Sequence, residues 1–504
     1  MKPPSVVSDV FRIALRVIAD LLIVQIAMLA ALMVVALQLQ SGSEDSVRLG
    51  LSELRHYYLT LFLPLSMCFP GFYALSGLYT ISRTYSKGLA LRRAASSAVV
   101  AALGMLAASF LLPQSAGLPR TSALIFAVLV SLGTPGIRWL KHTLFEHEKA
   151  GSGVPTPRGD LVLVVGGAGY IGSIVVRTLL KRGFRVRVLD SLVYGASAIE
   201  EVFDHPRMEF MRGDCRNIQD VVSAMRGASA VIHLAAIVGD PACDQDHKTA
   251  REINYAATRM MIEIAKGEGV QRFVFASSCS VYGASDQVMD ENSQSQPISL
   301  YADTKVDSEQ ALLGAATGNF HPTILRFATI FGLSPRPRFD LVVNLLTAKA
   351  IKERVITIYN GQQWRPFLHV ADAAAAIVRV LEAPVALVGN QIYNVGDSRL
   401  NYTLTDVAAL LVKFFPHTRV EHIENADRRS YRVSFQKFKG HLGFTCSKSL
   451  EDGIKEIKSA FESGQISDYS AALYSNVKFL KQYGSPRQTD LLGSQVMAAL
   501  AHKA

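Results

Sequence analysis

At 504 residues the chain exceeds one ordinary domain, and two or three are expected. Its apolar content of 49% and mean hydropathy of +0.22 are high for a soluble enzyme, and the excess sits in the first 140 residues. The net charge of +10 flanks apolar runs instead of forming a Lys/Arg block with interleaved aromatics, which points to membrane flanks and small anions and away from nucleic acid. Five scattered cysteines with no C-x-x-C pair argue against a zinc site or a disulfide framework, and no other metal site is expected.

Residues 1–145 read as a helical membrane region. Leu21–Leu37, apolar except for Gln25, can span a hydrocarbon core of ~30 Å. Tyr57–Tyr79, with tyrosines at both ends, and Ala94–Leu112, rich in small residues, are the second and third candidate spans. A fourth, from Ser122 to about Leu140, is broken near its end by Gly133, Pro135, Gly136 and Arg138. Ten basic residues (Lys2, Arg12, Arg16, Arg83, Lys87, Arg92, Arg93, Arg138, Lys141, Lys149) fall on one side of these spans and three (Arg48, Arg55, Arg120) on the other. The bias predicts a multi-pass protein of the cytoplasmic membrane with the N-terminus and the long C-terminal part in the cytoplasm. Asp20 and Gln25 read as interfacial or helix-packing positions, too few for a transport pathway. Residues 146–160, polar with Gly and Pro, form a linker.

From Leu161 the pattern changes. Leu161–Val165 is a continuous apolar run of strand length, followed by Gly166, Gly169 and Gly172 at three-residue spacing. A helical apolar face (Ile174, Val175, Val176, Leu179, Leu180) closes at Gly183, and a second strand, Arg185–Leu189, ends at Asp190. Glycines in such a turn let the backbone approach a pyrophosphate at a helix N-terminus. Asp190, 18 residues beyond Gly172, can accept hydrogen bonds from a ribose diol and repels a 2′-phosphate, so NAD is favoured over NADP. Further strands at Ala228–Val238 and Arg272–Ser278, with a helix at Glu252–Val270 between them, predict an α/β, doubly wound parallel sheet whose ligands sit at the strands' carboxyl ends. His233 reads as a core or cofactor-side histidine, and Cys243, in the loop Val238–Asp246, as a candidate for the pocket wall.

At that rim stands "FASSCSVYG", and some 20 residues on comes Ser299–Leu313, an amphipathic helical pattern that places Tyr301 and Lys305 on one face. A lysine ammonium near a tyrosine hydroxyl lowers its pKa and makes it a general base.

Residues from about Asp160 to Ala460 resemble the extended short-chain dehydrogenase/reductase family, the NAD-dependent nucleotide-sugar epimerases and dehydratases. The motifs are "GGAGYIG", Asp190, Gly213–Asp214, His233–Ala236, "SSCSVYG", "YADTK", "ILRFATIFG" and "WRPFLHV". The resemblance implies a Rossmann-type domain with a smaller C-terminal substrate domain over 161–465; a helical tail over 466–504 and a homodimer are expected besides. It makes Tyr301 the base and Lys305 its partner on the nicotinamide ribose. Ser278 becomes the hydrogen-bond partner of the reacting hydroxyl. Gly166, Gly169, Tyr170, Ile171, Gly172, Asp190, Asp214, Cys215, Leu234, Ala235 and Asn254 fall on the cofactor side, with Asp214 at the adenine. Ser280, Asn344, Arg365 and Arg428 fall on the substrate side.

Two departures, Pro366 in place of an Asp and Thr329 in place of an Asn, lie in the substrate half. Dehydratases with this pattern commonly carry Asp-Glu or Glu directly after the Ser/Thr; here those positions are Cys279 and Ser280, poor groups for a C5 proton or a C6 hydroxyl. The expectation is therefore a membrane-anchored C4 epimerase of a nucleotide-activated sugar for surface polysaccharide synthesis. Its alternatives are a dehydratase or keto-sugar reductase, acting on soluble or polyprenyl-linked sugar, and a non-catalytic NAD-binding membrane scaffold.

Overall fold

A computed structural model describes residues 6–39, 58–59, 66, 68–75, 95–104, 122–136, 161–425, 429–486, 497 and 500–501. The chain divides into two compact units, Met1–Pro155 and Thr156–Ala504.

In the first unit one helix, Val6–Leu39, is long and apolar enough among the described residues to cross a membrane, with its most apolar window at Val17–Val34. Two shorter apolar helices cover Ala95–Gly104 and Ser122–Gly136, the second running through Gly133 and Pro135. Of the expected span Tyr57–Tyr79 the structure describes 58–59, 66 and 68–75, with a helix at Cys68–Leu75, and the linker 146–160 lies outside the described residues. One face of the long helix (Val24, Met28, Ala31) packs with Phe69, Tyr73, Phe126 and Val130. The opposite face is also apolar yet exposed: Leu22 is 57% and Ile26 65% accessible. Gln25 is a packing position, as its side chain donates to Ser66 Oγ at 2.5 Å and accepts from the Tyr58 hydroxyl at 2.8 Å.

The second unit is built on a parallel sheet of seven strands: β1 (Leu161–Val165), β2 (Arg185–Asp190), β3 (Met208–Arg212), β4 (Ala230–His233), β5 (Arg272–Ser278), and, after a two-residue β6 (Val288–Met289), β7 (His321–Phe327) and β11 (Gln391–Val395). The spatial order is β11-β7-β5-β4-β1-β2-β3. Chain direction across the sheet reverses between β1 and β4, where an α/β sheet opens a crevice at its carboxyl edge. All five residues of β1 are buried, as a central strand covered on both faces requires. Short pairings make up the smaller part: β8 (Thr329–Phe331), β10 (Trp364–His369) and β12 (Asn401–Thr403) form one sheet, β9 (Val355–Tyr359) pairs with β13 (Arg419–Ile423), and β14 (Arg432–Val433) with β6. Pro366, expected at a substrate position, lies in β10 in register with Asn401.

Three expectations need correction. The strand read as Ala228–Val238 is only Ala230–His233, because the chain leaves the sheet at Leu234 to line the crevice. The helix Glu252–Val270 opens with a π-turn at Glu252–Ala256 before the α-helix Ala257–Gly267. The Leu300–Gly314 helix is not amphipathic: its buried side carries Thr304, Lys305, Ser308 and Glu309, each hydrogen-bonded, and Asp307, which lies 3.7 Å from Arg251 in an ion pair. Ser308 donates to Asn254 O, and Glu309 pairs with Arg326 at 2.6 Å while accepting from Ser277 Oγ. Buried polar groups are tolerable only when so satisfied.

Candidate active site

A cleft of about 520 Å³ opens along the carboxyl edge of the sheet. On its β1 side the turn 166–172 is shaped by close backbone approaches. Gly166 has φ +84°, and a Cβ there would stand 2.7 Å from Ala235 N. A Cβ on Gly172 would meet Gly166 O at 2.2 Å. No side chain fits, so main-chain amides form this wall. Asp190 locks the turn to the end of β2, accepting from Ala168 N at 2.9 Å and Leu192 N at 2.8 Å. Burial raises its pKa, opposed by those two amides. Each oxygen keeps a further lone pair for a ribose hydroxyl.

Tyr170, Ile171, Cys215, Leu234 and Ala235 line the same stretch. Asp214 also faces it, but its carboxylate is clamped by Arg216 at 2.7 Å. Asn254 does not line the cleft. It is buried, accepting from Ile237 N and donating to Ile237 O, and so fixes the loop that does. His233 is also buried behind the wall: Nε2 shares a hydrogen bond with Thr258 Oγ1, and burial lowers its pKa to about 3, so it stays neutral. The Cys243 thiol donates to Ile237 O and is fully buried, away from the cleft.

Opposite, Ser278, Ser280, Tyr301 and Lys305 converge on the cleft. Ser299 caps the helix that carries the pair, accepting from Ala302 N. Lys305 Nζ donates to Ala276 O at 2.7 Å and lies 5.7 Å from the Tyr301 ring centroid. The expected lowering of the Tyr301 pKa is not what the structure gives. Burial and the nearby Cys243 and Asp240 raise it, with Arg338 opposing, because the ammonium is directed at a backbone carbonyl. Burial lowers Lys305 itself to about 8. Ser278 Oγ accepts from Ser280 N at 3.1 Å and keeps its own hydrogen to give. Ser280 Oγ is buried without a partner, a group awaiting a ligand. Cys279 points the other way, donating to Arg326 O, with its thiol pKa raised by burial.

Of the expected substrate residues, Arg365 lines the cleft, stacks near Tyr431 and donates to Arg429 O. Asn344 does not. Its amide is consumed inside the fold, accepting from Gly332 N and donating to Gly332 O and Arg338 O, and it shapes the loop after β8. Arg428 lies outside the described residues; its neighbour Arg429 reaches the cleft and pairs with Asp240. Sequence reasoning missed Arg429, Asp240, Tyr194, Arg336 and Arg338. The last two stand in "SPRPR" just beyond a strand end, a signal that could have marked them.

The residues fit a dinucleotide: main-chain amides where glycine is obligatory, a carboxylate with free lone pairs, and an ammonium on the cleft floor. The comparisons agree. Residues 162–396 match the family model described as the NAD dependent epimerase/dehydratase family. A sterol-4-alpha-carboxylate 3-dehydrogenase of Bos taurus is 33% identical over 43% of this chain, which spans only 58% of that relative's length. A UDP-glucose epimerase of Bacillus subtilis (strain 168), itself uncharacterized, is 27% identical over 58% of this chain and 95% of its own. Among solved structures, MoeE5 in complex with UDP-glucose and NAD is 28% identical, with TM-score 0.52, 60% of this chain covered and 99% of its own. The dTDP-glucose 4,6-dehydratase DesIV of Streptomyces venezuelae is 26% identical, with TM-score 0.56 over 60% of this chain and 98% of its own.

Proposed function

We propose that this chain, whose residues 162–396 match the model of the NAD dependent epimerase/dehydratase family, is a membrane-anchored C4 epimerase of a nucleotide-activated sugar that serves surface polysaccharide synthesis. One observation carries the reaction type. Tyr301, Lys305 and Ser278 face the NAD-shaped half of the cleft, while the two positions after Ser278 hold no acid. The Cys279 thiol is turned into the fold, and Asp240, a carboxylate lining the cleft, is engaged by Ser299 Oγ and Arg429. Elimination of a C6 hydroxyl lacks its acid; removal and return of hydrogen at C4 does not need one.

The turn 166–172, Asp190 and Lys305 would hold NAD. When bound, NAD supplies hydride acceptance at C4 and its later return. Tyr301 takes the C4 hydroxyl proton in the first half of the cycle and gives it back in the second. Ser278 donates its hydrogen to the oxygen that becomes the ketone. Lys305, whose Nζ is held by Ala276 O on the cleft floor 5.7 Å from the Tyr301 ring centroid, supplies the positive charge that would face the nicotinamide ribose. Small groups at Ser280 and Thr329 leave room for the keto sugar to turn over. Arg365 and Arg429 supply the positive charge a nucleoside diphosphate needs.

The anchor rests on the exposed apolar faces of the N-terminal helices, Ile26 at 65% and Leu132 at 68%, and on the ten-to-three basic bias, which orients the catalytic unit to the cytoplasm. The test uses the whole chain purified in detergent. Denaturation is expected to release about one NAD per chain, as a cycle that regenerates its cofactor requires. Incubation with UDP-sugars is expected to give the 4-epimer with no net NADH. Turnover of polyprenyl-diphospho-sugars alone would move the substrate to the lipid, and accumulation of a 4-keto-6-deoxy sugar would sink the epimerase reading.

A further inference from the structure

The solved relatives are spanned almost completely by 60% of this chain, yet the unit Thr156–Ala504 is longer than that share. Its last continuously described stretch, ending at Pro486, borders the cleft at the cofactor end. Tyr474 O accepts from Phe339 N at 2.7 Å, and Asn476 N donates to Asp340 Oδ2 at 2.8 Å, which ties the segment to the loop after β8. Gln245 donates to Val477 O at 3.0 Å, from the loop after β4. The Phe479 ring lies 4.9 Å from that of Tyr194, in the loop after β2. Pro486 O accepts from Arg216 at 2.9 Å, the arginine that clamps Asp214 after β3. Asn476, Leu480 and Pro486 themselves line the cleft. The loops after β2, β3, β4 and β8 are therefore all tied to this one segment.

At its centre, Arg336 lies over the Tyr194 ring at 3.7 Å and donates through Nη2 to Asn476 Oδ1 at 2.7 Å. Arg336 is 6% exposed and lines the cleft, yet its Nε is buried with no acceptor. A buried donor left unmade is costly, so the site calls for an acceptor from a ligand.

We infer that Ala472–Pro486 is a strap that closes the cofactor end of the cleft, with the Arg336–Asn476 hydrogen bond as its latch, so that a bound dinucleotide leaves only when the strap lifts. This rests on the NAD reading above. It explains how one nucleotide could stay through many turnovers, and it assigns Asn476, Leu480 and Arg336 to the cofactor site.

Two measurements on the full chain test it. In the wild-type protein, adding NAD to nucleotide-stripped enzyme is expected to slow hydrogen exchange at the amides of Asn476–Tyr483. In Asn476→Ala, labelled NAD is expected to leave about ten- to a hundredfold faster, the effect of losing one hydrogen bond to a charged group. Unchanged exchange in the strap, or release at the wild-type rate from folded Asn476→Ala, overturns the strap while leaving the NAD reading standing. Wild-type protein that neither contains nor binds NAD overturns both.

Discussion

The two halves of the cleft are made of different material. The cofactor half is mostly backbone: amides of 166–172, the loop after β4, and one carboxylate at the end of β2, all but the loop within a 30-residue βαβ unit. The substrate half is made of side chains brought together from Ser278, Tyr301, Thr329, Arg365 and Arg429, spread over some 150 residues. A backbone site is fixed by local geometry and tolerates little change. A side-chain site depends on the packing behind it, here the buried Ser277–Glu309–Arg326–Tyr282 network beneath the strand end.

Substitutions can break this contrast. The largest effect is expected from Tyr301→Phe, which removes the base and should lower kcat by about 10²–10⁴-fold. Nucleotide released per chain should stay at the wild-type level, because the cofactor half is untouched. Glu309→Gln comes next. It leaves Arg326, 5% exposed, without its counter-charge and should cost about 3–5 kcal/mol in urea unfolding. If stability held, the substrate half would not depend on its buried support. Gly172→Ala tests the other side: its Cβ meets Gly166 O at 2.2 Å, a backbone atom that cannot turn aside. A loss of about 1–3 kcal/mol is expected together with loss of bound nucleotide, so stability and cofactor content should fall in step.

The smallest effect is a pH dependence. Burial holds Lys305 at about 8, below its ordinary 10.5. Between those values the unfolded chain binds more protons than the folded one, so Lys305 makes the empty protein gain stability as pH rises through that window. The ammonium facing the cleft is lost over the same rise. NAD affinity should therefore fall above about pH 8 while the Tm of the empty protein, referred to Lys305→Met, rises. Parallel changes would show that the ammonium plays no part in binding.

The sequence by itself determined the parallel sheet, the glycine turn with Asp190, and the placement of Tyr301 and Lys305 on one helix at the rim. These follow from strand-length apolar runs, three-residue glycine spacing and the helical period, which are local properties. It also marked the apolar N-terminal region, of which one helix is long enough to span among the described residues. Only the tertiary structure decided which polar residues meet the cleft. Asn254 and Asn344 carry the right side chains at matching motif positions, yet both spend their amides on neighbouring backbone. Arg429 and Arg336 carry no such motif and line the cleft. The tail from Ile466, silent as sequence, acquires its place through contacts with four distant loops. A side chain's partner is set by packing across the fold, and neither periodicity nor spacing records it.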